Sequence, residues 1–300
     1  MKFTLCTAFQ APLDIAAMAV EAEECGYDIF GFPDHVLHTE VSKTGYSYSD
    51  SGERPWDASA QWPEALTTMS YIAARTRTIE FMTAIYVLPM RSPFLVSQQL
   101  STISQLSNRR IWFGIGAGWS QDEFELLQQS FKNRGKRSGE MVEILRKLWS
   151  GEMVEHHGEH YDFDRLIMLP KPAAAIPILL GGSADVALRR TARIGDGWIA
   201  PPWPFEKCLE YADKLRAMLK EEGRENDPFE IVLTVSDISQ RDDIKAAEEV
   251  GATNIICTNP WAMKAFVPGG TKDSNSLQLK LEAIREYAET VITPNKTTVI

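Results

Sequence analysis

The chain has 300 residues, 44% of them apolar, enough to bury one large core without disulfide or metal staples. Its net charge of −10 argues against a nucleic-acid or anionic-membrane partner, because phosphate surfaces reward clustered Lys and Arg. Cys6, Cys25, Cys208 and Cys257 form no C-x-x-C pair, which removes zinc knuckles and redox dithiols and suits a reducing cytoplasm.

The N-terminal apolar stretch is broken by Gln10, Pro12 and Asp14, so it reads as neither a signal peptide nor a membrane span. Lys2–Thr7 predicts a strand. Leu13–Cys25 predicts a helix with Ile15, Met18, Ala19, Ala22 and Cys25 on one face, ended by Gly26. Asp28–Phe32 is a second strand and Pro63–Ala74 a helix with Pro63 in its first turn. Then follow a strand at Ile79–Tyr86, a helix at Phe94–Leu106 and a strand at Arg110–Gly116. Helices are expected at Asp122–Gln128 and Lys136–Trp149, a strand at Ile176–Leu180, a helix at Ala184–Ile194 and a brief strand at Trp198–Ala200. The last third reads as a helix at Phe205–Glu222, a strand at Phe229–Val235, a helix at Asp242–Val250, a strand at Asn254–Cys257 and a helix over Ser276–Thr290. Strands that are apolar throughout, separated by helices, imply a parallel sheet. About eight such units favour one closed (β/α)8 barrel over 1–300. Insertions are expected at Leu37–Gln61, after the second strand, and at Gly151–Lys171, after the fourth unit.

In such a barrel the C-terminal strand ends face the site. The second strand ends in Asp34-His35, a carboxylate beside an imidazole that titrates near neutrality; a capping Asp and a loop His are the plainer alternative. The end of the third strand, Ala84-Ile85-Tyr86, forms either a wall for a flat ring or ordinary core. Gly114, Gly116 and Gly118 alternate at the fourth strand end. They lack the third glycine of a dinucleotide fingerprint, since Trp119 follows, and leave room for a ligand or a packed aromatic. Gly181-Gly182-Ser183 before a helix suggests a phosphate site on backbone N–H groups, or a tight turn with Ser183 as N-cap. His156, His157 and His160 lack metal-ligand spacing, and no metal is expected. Arg189, Arg190 and Arg193 read as a solvated helix face, from which one may reach a cofactor tail.

Taken together these motifs resemble the luciferase-like monooxygenase family of flavin and deazaflavin barrels. The likeness is carried by Gly31-Phe32-Pro33-Asp34-His35, Leu88–Pro93, Gly114–Trp119 with Asp122-Glu123-Phe124, Leu169–Pro172, Pro177–Ser183 and Ala187–Trp198. It is strong over Lys2–Trp198 and weak beyond. The resemblance implies coenzyme F420 or FMN in the barrel mouth, with a bulge at Ala84, Ile85 and Tyr86 behind the ring, often with a non-proline cis peptide. It implies phosphate contacts from Leu180, Gly181, Gly182 and Ser183, an approach of Asp122 to the cofactor, and Asp34 and His35 near ring and substrate. The Gly116–Trp119 and Asp196-Gly197-Trp198 pattern points to the F420-dependent branch. Trp119 stands where sugar-phosphate dehydrogenase members carry an acidic Glu, which leaves His35 as the acid/base candidate, with Asp34 orienting it.

The expectation is therefore an oxidoreductase passing hydride between F420 and a small organic substrate, walled by aromatics such as Trp56, Trp62 and Trp203. The alternatives are an FMN monooxygenase fed by a separate flavin reductase, and a non-catalytic flavin-binding paralogue. A metal-dependent barrel hydrolase is disfavoured by the lack of clustered ligands. The resemblance also suggests a homodimer.

Overall fold

The computed structural model describes residues 1–49, 51–234, 241–258, 260–261 and 276–296, and in the helix Arg241–Glu249 it describes side chains from Ile244 onward. Eight parallel strand positions close into a barrel. They are β1 (Lys2–Cys6), β2 (Ile29–Phe32), β3 (Glu80–Thr83) with its short continuation β4 (Tyr86–Val87), and β5 (Ile111–Gly116). An antiparallel hairpin, β6 (Val154–His157) and β7 (Asp162–Leu166), stands outside it. The barrel continues with β8 (Ile178–Gly181), β9 (Gly197–Ile199), β10 (Glu230–Thr234) and β11 (Asn254–Thr258). β1 pairs with both β2 and β11, and β3 pairs with β5, which leaves no open edge.

The helices are α1 (Pro12–Glu24), α2 (Ala65–Ala73), α3 (Pro93–Leu106), α4 (Gln121–Leu126), α5 (Arg134–Leu148), α6 (Asp185–Ile194), α7 (Phe205–Glu221), α8 (Arg241–Glu249), α9 (Leu277–Tyr287) and the short α10 (Thr293–Lys296). Gly26 at φ +83 follows α1 as expected of the residue after a helix. Pro63 is not in the first turn of α2. Glu64 caps that helix instead, its carboxylate accepting from Leu66 N and Thr67 N. Val235, predicted to end a strand, lies outside the described residues.

The two-residue period of a strand sorts the core into two layers. Outward residues such as Leu5, Phe30, Phe81, Phe113, Leu180 and Leu233 meet the helices. Inward, each strand contributes one member of a separate plug: Cys6, Ile29, Met82, Trp112, Leu179, Ile199, Val232 and Ile256. This plug closes the barrel interior, so any cavity must lie above it, at the C-terminal strand ends.

The predicted third strand is not continuous. Pairing stops at Thr83 and resumes at Tyr86, and the Ala84–Ile85 peptide is cis. The alternating glycines of β5 explain how this detour fits. A Cβ on Gly114 would lie 1.9 Å from the Thr83 carbonyl oxygen, and one on Gly116 would lie 2.2 Å from Ile85 Cδ1. A Cβ on Gly118 would lie 2.6 Å from Val87 and 2.8 Å from the Phe124 ring. The glycines therefore admit the neighbouring strand and one core aromatic.

Candidate functional site

A cavity of about 710 Å³ opens at the C-terminal mouth, within the range of small-molecule sites. Its floor comes from the strand ends and is apolar at Cys6, Ala84, Ile85, Gly116, Gly181, Ile199 and Ile256, with Thr234 and Thr258 as its polar members. Ile85 is the centre of that floor. Its side chain sits in the notch left by Gly116 and Gly181, whose added Cβ atoms would meet Ile85 Cδ1 at 2.2 and 2.8 Å. Burial pushes the Cys6 thiol up to about 12, so it acts as an inert apolar wall.

One end of the cavity gathers glycines, a helix start and two guanidinium groups. Gly181, Gly182, Ser183, Ala184 and Ala187 line it at the start of α6. Gly182 adopts φ +115, which side chains rarely tolerate, and its carbonyl accepts from Trp198 Nε1 at 2.9 Å. Ser183 is not the N-cap; Ala184 holds that position without a side-chain bond. Two guanidinium groups, Arg134 and Arg190, also line this end. Arg134 donates to the Gly118 carbonyl at 2.9 Å and Arg190 to the Gly135 carbonyl at 3.1 Å. No described carboxylate pairs with either, and Arg190 Nε is buried without a partner. Burial, with Arg193 and Arg134 nearby, holds the Arg190 guanidinium below its ordinary value. A phosphate there would relieve both burdens. Sequence reading had left Arg190 on a solvated face, because helical period alone does not show that α6 turns this position towards α5.

Asp34 and His35 border the same cavity but face different neighbours. Asp34 does not orient His35. Its carboxylate takes a bidentate pair from Arg91 at 2.6 Å on each oxygen, plus Val87 N at 2.8 Å. Burial opposes the charge on Arg91, but Asp34 more than restores it and holds the guanidinium above its ordinary value. Arg91 also lies 4.3 Å over the Tyr86 ring. Asp34 thus pins the strand beyond the cis peptide to β2.

The partner of His35 is Glu123. Its Oε2 lies 2.8 Å from His35 Nδ1, and its Oε1 accepts from Val36 N at 2.7 Å. The Glu123 side chain is 3% exposed. Burial would raise this carboxyl, but His35 and the Val36 and Leu37 amides outweigh it and hold it below the usual 4.5. Its place in the first turn of α4, capped by Ser120, favours the charge too. With the carboxylate on Nδ1, the imidazole keeps Nε2 for the cavity; no hydrogen bond to Nε2 is present among the described residues. Ser120-x-x-Glu123 has the form of a capping box; in the structure Glu123 reaches the second strand end instead, a long-range contact that no local pattern discloses.

Three further expected contacts fall away from the cavity lining. Tyr86 points outward, packed on Phe113 with centroids 5.6 Å apart. Leu180 lies in the outer core, since strand alternation sends Gly181 inward and its neighbour outward. Asp122 accepts from Lys43 N at 2.9 Å and Ser42 Oγ at 3.4 Å, so it fastens the segment after β2 and does not approach the cavity. Two histidines of the hairpin are paired, His156 with Glu140 at 3.1 Å and Lys147 at 3.1 Å, and His157 with Asp162 at 2.5 Å; His160 Nδ1 lies 3.5 Å from Asn133 Nδ2, and its Nε2 is buried without a hydrogen-bond partner. No cluster able to hold a metal exists among the described residues.

Fold and site together define a (β/α)8 barrel with a cofactor-sized cavity at its mouth. The profile of the luciferase-like monooxygenase family matches residues 3–290, and the chain belongs to that family. A Mycobacterium tuberculosis protein described as uncharacterized is 32% identical over 297 residues, covering 97% of this chain and 99% of that protein. The F420-dependent glucose-6-phosphate dehydrogenase of Amycolatopsis mediterranei is 28% identical over 239 residues, covering 78% of this chain and 65% of that protein. Among solved structures, a Streptomyces bottropensis monooxygenase superposes with a TM-score of 0.72 at 19% identity, covering 99% of this chain and 100% of that one; at that identity the likeness is one of fold. No helix among the described residues is long and apolar enough to cross a membrane.

Proposed function

We propose that this protein is an F420-dependent oxidoreductase acting on a small organic substrate, with His35 as its acid/base residue. The observation that carries the reading is the polarity of the cavity. An apolar floor over Ile85 runs from an anion-binding end at Ser183 and Arg190 to an imidazole at the other. A flat tricyclic ring with a phosphate-bearing tail matches that order of surfaces. The relatives named as F420-dependent support the deazaflavin over FMN.

When bound, the deazaflavin supplies hydride donation or acceptance. Ile85 and its flanking glycines would hold the ring, and Gly182, Ser183, Arg134 and Arg190 the tail. His35 would manage the proton at the substrate oxygen. Glu123 keeps Nδ1–H as a donor, so the neutral ring presents the Nε2 lone pair to a hydroxyl proton. The protonated ring presents an Nε2 hydrogen to a carbonyl oxygen. The direction of reaction is thus matched by one imidazole in two protonation states.

Parallel equilibrium titrations of the purified protein with F420 and FMN test the cofactor. Tighter binding of F420 is expected. Binding of FMN alone, with oxygen consumed in turnover, would replace this reading with a monooxygenase served by a separate flavin reductase; binding of neither would end it. His35→Ala should keep cofactor affinity and lose turnover, and unchanged turnover would remove His35 from the chemistry.

A further inference from the structure

The wall facing His35 is made of aromatic rings. Trp62, Trp56 and Trp119 have ring centroids 4.7, 5.2 and 5.6 Å from the imidazole. Tyr46 meets Trp56 at 5.1 Å and Trp119 at 5.2 Å, and Phe9 meets Trp62 at 5.0 Å. All of these line the cavity. Phe9 is held at φ +64, in the left-handed region that a non-glycine residue enters at a cost. Folding stability alone gives no reason to place a bulky ring there. The strain puts that ring on the tryptophan cluster at the cavity edge, the pattern of a backbone fixed for binding.

Asp34 is committed to Arg91 and Glu123 to His35. Of the arginines lining the cavity, Arg190 is bound to the Gly135 carbonyl, away from these rings, and Arg134 to the Gly118 carbonyl, one residue before Trp119. Besides the His35 Nε2, the polar residues lining this end are hydroxyl-bearing, Thr44, Tyr46, Ser47 and Tyr48, while the Trp62 indole N–H is buried without a partner. A sugar phosphate entering this space would shed its hydration against ring faces, with Arg134, the guanidinium near Trp119, taken by the cofactor tail. A flat apolar molecule would lose little and gain ring contacts on several sides.

We propose that the pocket over His35 takes a neutral, planar, unsaturated substrate, an aryl ketone or its alcohol, with its single oxygen at His35 and its rings against Trp56 and Trp62. This rests on the oxidoreductase reading above and names the substrate class of the same site. It separates this chain from the sugar-phosphate specificity named for its relatives, consistent with Trp119 standing at the cavity wall.

The test uses the full-length protein with saturating F420, and again without it. Binding of 2-acetylnaphthalene and of glucose 6-phosphate is measured by ligand-observed NMR, for the native chain, Trp56→Ala and Trp56→Phe. The aryl ketone is expected to bind and the sugar phosphate not to bind at equal concentration. Trp56→Ala should weaken ketone binding about tenfold, the scale of one lost stacking face, and Trp56→Phe should recover most of it. F420 affinity should stay within about twofold in both variants, which also shows that they fold. Equal binding of glucose 6-phosphate, no binding of the ketone, or a ketone affinity indifferent to Trp56 overturns the proposal. If F420 binds but the ketone does not, the substrate class fails and the cofactor reading stands. If the ketone binds in the aromatic wall and neither cofactor binds, the reverse holds.

Discussion

Glu123→Gln is the most informative single change, because it keeps shape and removes only charge. In the native chain the carboxylate accepts two charge-assisted hydrogen bonds, from His35 at 2.8 Å and Val36 N at 2.7 Å. Each such bond contributes about 1.5–3 kcal/mol. A glutamine carbonyl can keep the Val36 bond as a neutral one, but its NH2 group then meets His35 Nδ1, which can accept only by moving its hydrogen to Nε2, so both charge-assisted bonds are lost at a side chain that is 3% exposed. The expected loss is about 2–3 kcal/mol at pH 7, somewhat less than for a fully buried ion pair because the His35 side chain is 12% exposed. Urea unfolding gives this as a lower midpoint at unchanged slope. The pH dependence adds a second check. Glu123 is held below 4.5 in the folded state, so its stabilisation is complete above pH 4.5 and is lost as the pH falls through the depressed folded value. The gap between native and variant should therefore close on acidification below 4.5. A difference under about 0.5 kcal/mol at pH 7, or a gap indifferent to acid below that point, would refute the assignment of Glu123 as the anchor of His35.

Three other outcomes follow from the same geometry. Asp34→Asn leaves the Arg91 guanidinium without its counter-charge and should cost about 3 kcal/mol in chemical unfolding, far more than a capping residue would. Arg190→Gln should weaken F420 binding about tenfold in a fluorescence titration and lessen its sensitivity to salt; an unchanged dissociation constant would move the phosphate elsewhere. Gly114→Ala puts a Cβ 1.9 Å from a backbone oxygen that cannot rotate away and should cost about 3 kcal/mol or more, whereas Gly223→Ala, with φ +70 but open space around it, should cost only about 1 kcal/mol.

The barrel was legible in the chain because its strands are continuous apolar runs, and their positions follow directly from them. The break in the third was not, since Ala84-Ile85-Tyr86 continues the apolar pattern while the backbone leaves the sheet. Position at a strand end correctly drew attention to Asp34, His35, Gly182 and Ser183, all of which border the cavity. What each side chain does was hidden, because adjacent residues turn to opposite sides and their partners lie far off in sequence. Asp34 is bound to Arg91 and His35 to Glu123, 57 and 88 residues away. The same alternation took Tyr86 and Leu180 out of the lining. Arg190 was obscured for a different reason: its helix is amphipathic, and a basic residue beside an apolar stripe reads as solvated until a second helix covers it.

The neighbouring acids of α4 carry a consequence for how this barrel can change. Asp122 ties down the segment after β2 through Lys43 and Ser42, Thr44 Oγ1 accepts from Gln121 N at 3.2 Å, and Glu123 secures the backbone where that segment begins. The floor of the cavity comes from strands that make none of these ties. A graft of the segment alone onto another barrel would arrive without its moorings, and in this one it would leave Asp122 without its donors and Glu123 with His35 alone. Segment and helix form one exchangeable cassette, and a change in this wall of the cavity would have to carry both together while the strand-end floor beneath stays as it is.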